Sequence, residues 1–315
     1  MSTVTESSST SESKAGTVAL IGRPNAGKST LMNLCLAEKL AIVSDKPQTT
    51  RHRIVGILSQ EQGQMVFFDT PGIHRPHHRL NRQMVRYSMD ALNEADVVCL
   101  LADASSAIGS GDRYMLDLLA DVDGSRVLAL NKIDLVNKPS LLPRMALYGE
   151  AGIFEEIVPV SALTGNGVDI LLQVLWRLLP VGQPLYSPDL LTTHPERFLV
   201  AERIREKVLA ETRDELPYTT SVLIELWQEP AADESRAPVK IYASILVERP
   251  SQKKILVGKG GQKIKAIGMA ARRDLEDFLG RSVYLELHVS VEPDWRENPR
   301  LLATLERDLS LPGSS

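Results

Sequence analysis

The segment GRPNAGKS, from Gly22 to Ser29, constrains the fold of this chain more than any other feature. It fits the spacing G-x-x-x-x-G-K-[ST], follows the apolar run VALI and precedes the helical pattern STLMNLCLA. A strand, a glycine-rich loop and a helix in that order aim backbone N–H groups and a helix N-terminus at a phosphate. We therefore predict a phosphate-binding loop, with Lys28 on the β- and γ-phosphates and the Ser29 hydroxyl on Mg²⁺.

Short apolar runs alternate with helical patterns from residue 17 to about residue 180. This alternation predicts an α/β domain with a largely parallel sheet and helices on both faces. Prolines crowd the segment 181–195, which we interpret as a linker. Residues 196–296 read as helix, strand, strand, helix, glycine turn, helix and strand, and they predict a second, smaller α+β domain.

The two ends of the chain and its composition carry less information. Residues 1–16 are rich in Ser and Thr and lack both an apolar core and arginine, so we predict a disordered tail and not a targeting signal. Residues 297–315 are interpreted as a C-terminal tail without an assigned role. The net charge of -4 confines any nucleic-acid site to a local basic surface. No apolar run is long enough to span a bilayer, and Cys35 and Cys99 are expected to be buried and reduced.

Three further motifs extend the predicted site, and the last two of them indicate that the bound nucleotide carries guanine. In FFDTPG, Asp69 can hold the water shell of Mg²⁺ and the Gly72 N–H can contact a γ-phosphate. In NKID, the Asp134 carboxylate can accept the N1–H and N2–H₂ groups of guanine, a donor pair that adenine lacks. Asn131 would brace the loop and Lys132 would lie over the base. In VPVSA, a backbone N–H of Ser161-Ala162 would meet the guanine O6.

The order and spacing of these motifs predict GTP as the ligand, with candidate residues on several segments. The candidate phosphate-binding residues are Gly22, Arg23, Pro24, Asn25, Ala26, Gly27, Lys28, Ser29, Thr30, Asp69, Thr70, Pro71, Gly72 and Ile73. The candidate guanine-binding residues are Asn131, Lys132, Asp134, Ser161 and Ala162.

The polar segment KPQTTRHR lies between the phosphate loop and Asp69 and is typical of a mobile switch. A threonine in it is expected to complete the Mg²⁺ shell when GTP is bound. Thr50 is our prediction, with Thr49 as the alternative, so that Ser29, Thr50 and Asp69 form the candidate metal site. The predicted switch I residues are Gln48, Thr49, Thr50, Arg51 and His52.

Ile73 occupies the place where small signalling GTPases carry a glutamine that orients the attacking water. Since isoleucine has no hydrogen-bonding group, we predict slow intrinsic hydrolysis that a partner accelerates. The neighbouring histidines His74, His77 and His78 lie in a proline-broken segment without acidic or cysteine partners. They are interpreted as part of a polar switch segment and not as a metal site.

A second glycine turn, GKGG at 258–261, lies in a stretch from Arg249 to Arg273 that has eight basic residues and no acid. Its two helical flanks and G-x-x-G spacing are typical of the loop with which KH domains clamp a nucleic-acid backbone. The predicted RNA-binding residues are Lys253, Lys254, Gly258, Lys259, Gly260, Gly261, Lys263 and Lys265. The apolar residues predicted to support the bases are Ile255, Val257, Ile264 and Ile267.

The motifs GRPNAGKST, QTTRHR, DTPGIH, NKID and VSA, followed by QKKILVGKGGQKIKAIG, closely resemble the Era family of bacterial ribosome-assembly GTPases from about residue 17 to 295. The resemblance implies a P-loop GTPase domain and a type II KH domain that binds the 3′ end of 16S ribosomal RNA. It implies a switch in 30S subunit assembly and 16S rRNA maturation, with Mg²⁺ bound alongside GTP. It also implies K⁺ held near the phosphates by Asn25.

By the same resemblance, the protein is expected to be a cytoplasmic monomer that is in part associated with the cytoplasmic face of the cell membrane. The alternative interpretation is an RNA chaperone, or binding module, in which GTP is mainly structural. The intact set of Lys28, Ser29, Thr50 and Asp69 favours the switch.

Overall fold

The structure is a computed structural model of the 315-residue chain, and it describes residues 13–73, 78–213, 216–231 and 237–307. The predicted disordered tail lies outside the described residues up to residue 12, and so does the predicted C-terminal tail after residue 307. His74 and His77 of the predicted switch segment also lie outside them.

The N-terminal domain is built on a six-stranded sheet. Its strands are β1 (Lys14–Gly22), β2 (Ile54–Gln60), β3 (Gly63–Asp69), β4 (Val97–Asp103), β5 (Ser125–Asn131) and β6 (Glu156–Pro159). Their order is β2-β3-β1-β4-β5-β6, and every neighbouring pair is parallel except β2 and β3. The prediction of a largely parallel sheet is therefore confirmed.

Helices cover both faces of this sheet because alternate residues of its strands point to opposite sides. The helices are α1 (Lys28–Leu36), α2 (Arg79–Glu94), α3 (Ser110–Ala120), α4 (Leu141–Gly149) and α5 (Val168–Leu178). Val18 and Leu20 of β1 belong to the apolar core with α1 and α5, whereas Ala19 and Ile21 belong to the core with α2, α3 and α4. All four of these β1 side chains are fully buried.

Strand β1 begins inside the predicted N-terminal tail. Lys14 pairs with Gly63 of β3, and its ammonium donates hydrogen bonds to the carbonyls of Arg177 and Leu179 at 2.9 and 2.8 Å. The residues Lys-Ala-Gly have little intrinsic preference for a strand, which is why the sequence pattern did not include them. Pairing with β3 and contacts with the end of α5 place them in the sheet.

The second domain has the predicted elements in the predicted order, with one further short helix, α7 (Leu216–Thr219), before the first strand. The elements are α6 (Glu196–Ala210), α7, β7 (Ser221–Gln228), β8 (Val239–Val247), α8 (Pro250–Val257), α9 (Gln262–Leu279) and β9 (Val283–Val291). The sheet order is β7-β8-β9, with β7 antiparallel and β9 parallel to β8. Helices α6 and α9 pack on this sheet through one apolar core, which confirms a smaller α+β domain of KH type.

The proline-rich linker lies along the edge strand β2. The Ile57 N–H donates to the Leu191 carbonyl at 2.8 Å, and the Val55 N–H donates to Nε2 of His194 at 3.1 Å. The Gln64 side chain accepts hydrogen bonds from the N–H groups of Leu185 and Tyr186. The linker therefore covers an edge whose backbone groups would otherwise face water.

The predicted C-terminal tail contains a helix, α10 (Pro299–Arg307). Leu302 of this helix and the preceding Trp295 pack on Leu80 and Met84 of α2, and Glu306 accepts a hydrogen bond from the Tyr87 hydroxyl at 2.5 Å. The C-terminal segment thus returns to the helix that follows the DTPG motif. Its leucines have helical spacing, but the segment is short, and its contacts with α2 are remote in sequence.

The two cysteines are free and buried, and burial raises the pKa of the Cys35 thiol to about 12. The pKa of the Cys99 thiol is also raised by burial.

Across the described ranges, no helix combines the length and apolar character that crossing a bilayer requires.

Candidate nucleotide site and RNA-binding surface

The phosphate loop joins the end of β1 to α1 with its lysine folded over it. The Lys28 ammonium donates to the carbonyls of Gly22 and Arg23, each at 3.3 Å, and the side chain is buried. Burial lowers the pKa of Lys28, while the nearby Asp69 carboxylate opposes that shift. The ammonium is held at a loop whose backbone turns through left-handed conformations at Asn25 and Gly27.

Three oxygen-bearing side chains converge beside the start of α1. The Ser29 hydroxyl donates to Oδ2 of Asp69 at 2.6 Å, and Thr50 Oγ1 lies 2.9 Å from Ser29 Oγ and 3.4 Å from the same Oδ2. Thr49 instead donates its hydroxyl to the Lys46 carbonyl at 2.6 Å. Of the two threonines considered, Thr50 is therefore the one that faces the cluster.

The donor set of this cluster fits a magnesium ion. Carboxylate and hydroxyl oxygens are the ligands that Mg²⁺ prefers. Oδ1 of Asp69 is buried and has no hydrogen-bond partner among the described residues, so it is left to face a cation or its water shell. Burial raises the pKa of Asp69 to about 6, against the opposing effects of Lys28, Ser29 and Thr50.

A cavity of about 390 Å³ brings the predicted phosphate and switch residues together. Its walls come from the phosphate loop, the two segments 42–45 and 48–50, and the single residues Gly72 and Lys132. The motifs GRPNAGKS, QTT, DTPG and NKID therefore meet at one place, as the sequence analysis expected for a bound nucleotide.

Asn131 ties the guanine-side loops to the phosphate loop. Its Nδ2 donates to the Ala26 carbonyl at 2.7 Å, and its Oδ1 accepts from the Ala162 N–H at 2.9 Å. A Cβ added to Gly27 would lie 2.2 Å from Asn131 Nδ2. Glycine is thus required at this position both by its φ of 98° and by the close approach of Asn131.

Asp134 is oriented by Ser161, which donates its hydroxyl to Oδ1 of Asp134 at 2.6 Å. Both N–H groups named for the guanine O6 donate within the loops of this structure: the Ser161 N–H donates to the Asn166 carbonyl, and the Ala162 N–H donates to Oδ1 of Asn131. The O6 contact of Ser161-Ala162 stays a prediction.

Lys132 has an ion-pair partner that the sequence analysis missed. The residue has a left-handed φ of 66°, and its ammonium lies 2.6 Å from Oδ2 of Asp103. Asp103 ends β4 and pairs in register with Asn131 of β5. The sequence signal for this ion pair was Asp103, an acidic residue at the carboxyl end of the strand next to β5.

Two of the five predicted switch I residues face the KH domain and not the nucleotide cavity. Arg51 is 2% exposed and donates to the carbonyls of Thr220 and Pro217 at 2.6 and 2.8 Å. His52 packs edge-on against Phe198 of α6, with ring centroids 5.7 Å apart. Burial lowers the pKa of Arg51 to about 9 and that of His52 to about 4. Polarity alone did not reveal that these side chains are buried.

The GKGG turn lies between α8 and α9, where the sequence placed it. Gly258, Gly260 and Gly261 have φ values of 72°, 59° and 78°. A Cβ at Gly260 or Gly261 would meet no described atom within 4 Å. The two glycines leave open space beside the N-terminus of α9, as a backbone clamp requires.

The predicted basic residues differ in how far they reach into solvent. Lys254, Lys259 and Lys265 are exposed, whereas Lys253 and Lys263 are half-buried, and Lys263 donates to the Glu211 carbonyl at 3.0 Å.

A groove with both apolar and charged walls begins at Ile264, three residues after the turn. It has a volume of about 370 Å³ and lies between α9 and β9, where Ile264, Leu285 and Leu287 line it. Ile267, which was predicted to support the bases, is fully buried in the core and cannot contact them.

Comparisons with known proteins match both domains. A family model described as 50S ribosome-binding GTPase matches residues 17–132, and a KH domain model matches residues 215–296. A curated GTPase Era of Geotalea uraniireducens is 48% identical over 289 residues, which cover 92% of this chain and 96% of that protein. One from Alkaliphilus metalliredigens is 46% identical over 293 residues, covering 93% and 98%.

Two solved Era structures share the whole architecture at 37% identity, each covering 95% of this chain and 100% of theirs. An Aquifex aeolicus Era variant bound to GDP·AlF₄⁻ gives a TM-score of 0.88. An Era complex with MgGDPNP and nucleotides 1506–1542 of 16S ribosomal RNA gives 0.89. The shared order of domains and the high identity over nearly the full length of its relatives establish that this chain belongs to the Era family of GTPases.

Proposed function

We propose that this protein binds GTP with Mg²⁺, hydrolyses it slowly to GDP and phosphate, and binds the 3′ end of 16S ribosomal RNA through its KH domain. In this role it acts as a switch in 30S subunit assembly and 16S rRNA maturation. One observation carries the proposal: Lys28, Ser29 and Thr50 line one cavity, and Asp69 lies within hydrogen-bond distance of Ser29 and Thr50, in a chain that also presents an open G-x-x-G turn.

The roles of the phosphate-side residues follow from their positions. Lys28 would exchange its loop carbonyls for β- and γ-phosphate oxygens, where its charge offsets the charge that develops during transfer. Ser29, Thr50 and Asp69 would hold the magnesium shell. The bound metal would supply charge neutralisation between the β- and γ-phosphates.

The guanine-side residues would read the base by hydrogen bonding. With Oδ1 of Asp134 held by Ser161, the carboxylate is set to accept from the base edge, and Lys132 would cover the base. An adenine would leave the Asp134 carboxylate without donors, which disfavours ATP.

The slow rate is supported by Ile73, which is 6% exposed and belongs to an apolar cluster. It offers no group to orient water, so we propose that a partner accelerates hydrolysis.

We also propose that K⁺ binds beside Asn25. The Asn25 Nδ2 donates to the Asp45 carbonyl at 2.8 Å, and no described residue bonds its Oδ1. Equal hydrolysis rates in Na⁺ and K⁺ would remove this part of the proposal.

The RNA assignment is supported by the exposed lysines around the open turn and by the solved relative in complex with a 16S fragment. From the family resemblance we further propose a cytoplasmic monomer that is in part peripheral at the cytoplasmic face of the cell membrane. Sedimentation of the purified protein and flotation of cell extracts test these two points.

Titration of the full chain with labelled GTP, ATP and a 16S 3′-end oligonucleotide tests the proposed function. We expect GTP to bind far more tightly than ATP, and the oligonucleotide to bind more tightly than one of scrambled sequence. A Lys28→Ala variant should lose GTP hydrolysis and retain the KH fold. Failure of wild-type protein to discriminate GTP from ATP, or 16S from scrambled RNA, would contradict the proposal.

A further inference from the structure

Helix α6, the first helix of the KH domain, forms hydrogen bonds to the main chain of the loop 39–50 near both ends of that loop. Toward the start of the loop, Arg203 donates to the Lys39 carbonyl at 2.6 Å, and Glu206 accepts from the Val43 N–H at 3.0 Å. Toward its end, Arg205 donates to the Thr49 carbonyl. The segment between these contacts forms one wall of the nucleotide cavity.

The guanidinium of Arg205 is fixed before it reaches the loop. Its Nε and Nη2 donate to the two carboxylate oxygens of Glu202 at 2.7 and 2.6 Å, and the side chain is 1% exposed. A two-point pair of this kind sets the plane of the guanidinium as well as its position. The same Nη2 is the atom that meets the Thr49 carbonyl.

The Thr49 carbonyl and the Thr50 N–H belong to one planar peptide group. A hydrogen bond that fixes this carbonyl therefore also fixes the direction in which the chain enters Thr50. The Thr50 hydroxyl then lies 2.9 Å from Ser29 Oγ. We propose that Arg205 is a positioning residue that acts through Thr50 and holds its hydroxyl toward the magnesium ion of bound GTP. This inference rests on the proposed magnesium role of Thr50.

A positioning role through Thr50 makes Arg205 favour the binding of GTP over that of GDP. Contacts between a switch threonine and Mg²⁺ form when the γ-phosphate is present and are released after hydrolysis. Arg205 therefore strengthens the binding of GTP and contributes little to the binding of GDP. A merely structural arginine would affect both nucleotides alike.

The test compares Arg205→Lys with Arg205→Met in the full chain. Lysine keeps a positive charge opposite Glu202, so that carboxylate is not left unpaired. It lacks the branched guanidinium that also reaches the Thr49 carbonyl, so the variant removes that contact alone. Arg281→Lys is the matched control, because Arg281 makes a comparable two-point pair with Glu229 on the KH surface. Affinities for GDPNP and GDP are measured with Mg²⁺.

We expect Arg205→Lys to weaken GDPNP binding about tenfold to a hundredfold, which matches the loss of one hydrogen bond from a charged donor, and GDP binding less than about twofold. Arg205→Met should weaken GDPNP binding at least as much, and Arg281→Lys should change neither affinity. In a Thr50→Ala background, Arg205→Lys should add less than about twofold, because the two residues act as one unit. Equal weakening of GDPNP and GDP, or a full additional loss in the Thr50→Ala background, would overturn the inference.

The Thr50→Ala variant distinguishes the proposed magnesium role of Thr50 from the proposed positioning role of Arg205. If Thr50→Ala alone leaves GDPNP affinity at the wild-type value, the proposed magnesium role of Thr50 is wrong, and the inference that depends on it is overturned as well. If Thr50→Ala weakens GDPNP binding and Arg205→Lys does not, the magnesium assignment stands and only the role of Arg205 is overturned.

Discussion

Arg51 of the GTPase domain donates a 2.6 Å hydrogen bond to the main-chain carbonyl of Thr220, the residue that precedes β7 of the KH domain. Its second branch reaches the Pro217 carbonyl at 2.8 Å, and its guanidinium lies 5.8 Å from the centroid of the Trp295 ring. Arg51 follows Thr50 directly in the chain. The residue next to the candidate magnesium threonine therefore joins the two domains.

Arg51→Met should destabilise the domain interface. It removes two hydrogen bonds from a charged donor and leaves two buried carbonyls without a partner, at a cost of about 3 kcal/mol or more. Hydrogen exchange of the amides in 216–228 should become faster. Arg53→Met is the control, since Arg53 forms a partly exposed ion pair with Glu94, whose loss costs less than about 1 kcal/mol. Unchanged exchange in Arg51→Met would show that the contact does not hold the domains together.

Gly27→Ala should abolish tight nucleotide binding. The added Cβ would collide with Asn131 Nδ2, and the φ of 98° disfavours any other residue, so GTP and GDP affinities should fall about a hundredfold. Gly152→Ala is a control for backbone strain alone, because Gly152 has a φ of 64° and no described atom would lie within 4 Å of its Cβ. Nucleotide titration measures both variants. Retention of wild-type affinity in Gly27→Ala would mean that the Asn131 brace is dispensable.

Gly260→Asp should weaken RNA binding about tenfold and leave GTP affinity intact, since it brings a negative charge to the place where RNA phosphates approach. Gly280→Asp is the matched control for Gly260→Asp. Both glycines have left-handed φ values, 59° and 64°, and open space around the Cβ position, but Gly280 lies at the other end of α9. Filter binding of a 16S 3′-end fragment compares them. Equal effects of the two variants, or loss of GTP affinity with Gly260→Asp, would contradict the two-site account.

His194 should make the protein less stable in acid. Burial lowers its pKa from 6.5 to about 4, with Arg53 and Glu202 as the charged neighbours and His52 as a second buried imidazole. Between pH 6.5 and 4 the unfolded chain binds a proton that the folded chain does not. The free energy of unfolding therefore falls as pH drops through this window, by up to about 3 kcal/mol.

Unfolding by urea, measured across this pH window, tests the contribution of His194. His194→Gln retains an acceptor for the Val55 N–H but does not titrate, so its stability should depend less steeply on pH than that of the wild type. Identical pH profiles for the two proteins would assign the acid sensitivity to other groups.

The residues predicted most reliably from the sequence are those that follow a strand or open a helix. Asp69 and Asn131 end strands β3 and β5, and Lys28 and Ser29 open α1 directly after the loop that follows β1. The carboxyl ends of parallel strands meet at one edge of a sheet. Motif spacing therefore determined both the identity and the convergence of these four residues. The glycine turn at 258–261 was predictable for a similar reason, because two helical patterns bound it.

The interface between the domains was not predictable from local patterns. Arg51 and Thr220 are 169 residues apart, and Arg205 and Thr49 are 156 apart. No periodicity or turn chemistry encodes which carbonyl a distant arginine will meet. Helix α10 was missed for a related reason, since its burial depends on α2 and not on its own short pattern.

The most direct test of the central claim is crosslinking of the protein to RNA in a cell lysate, with the nucleotide state set beforehand by added GDPNP or GDP. The account predicts recovery of fragments from the 3′ end of 16S ribosomal RNA, in greater yield with GDPNP. Equal yields in the two states would favour an RNA chaperone in which GTP is structural. Recovery of no 16S 3′-end fragments in either state would contradict the account.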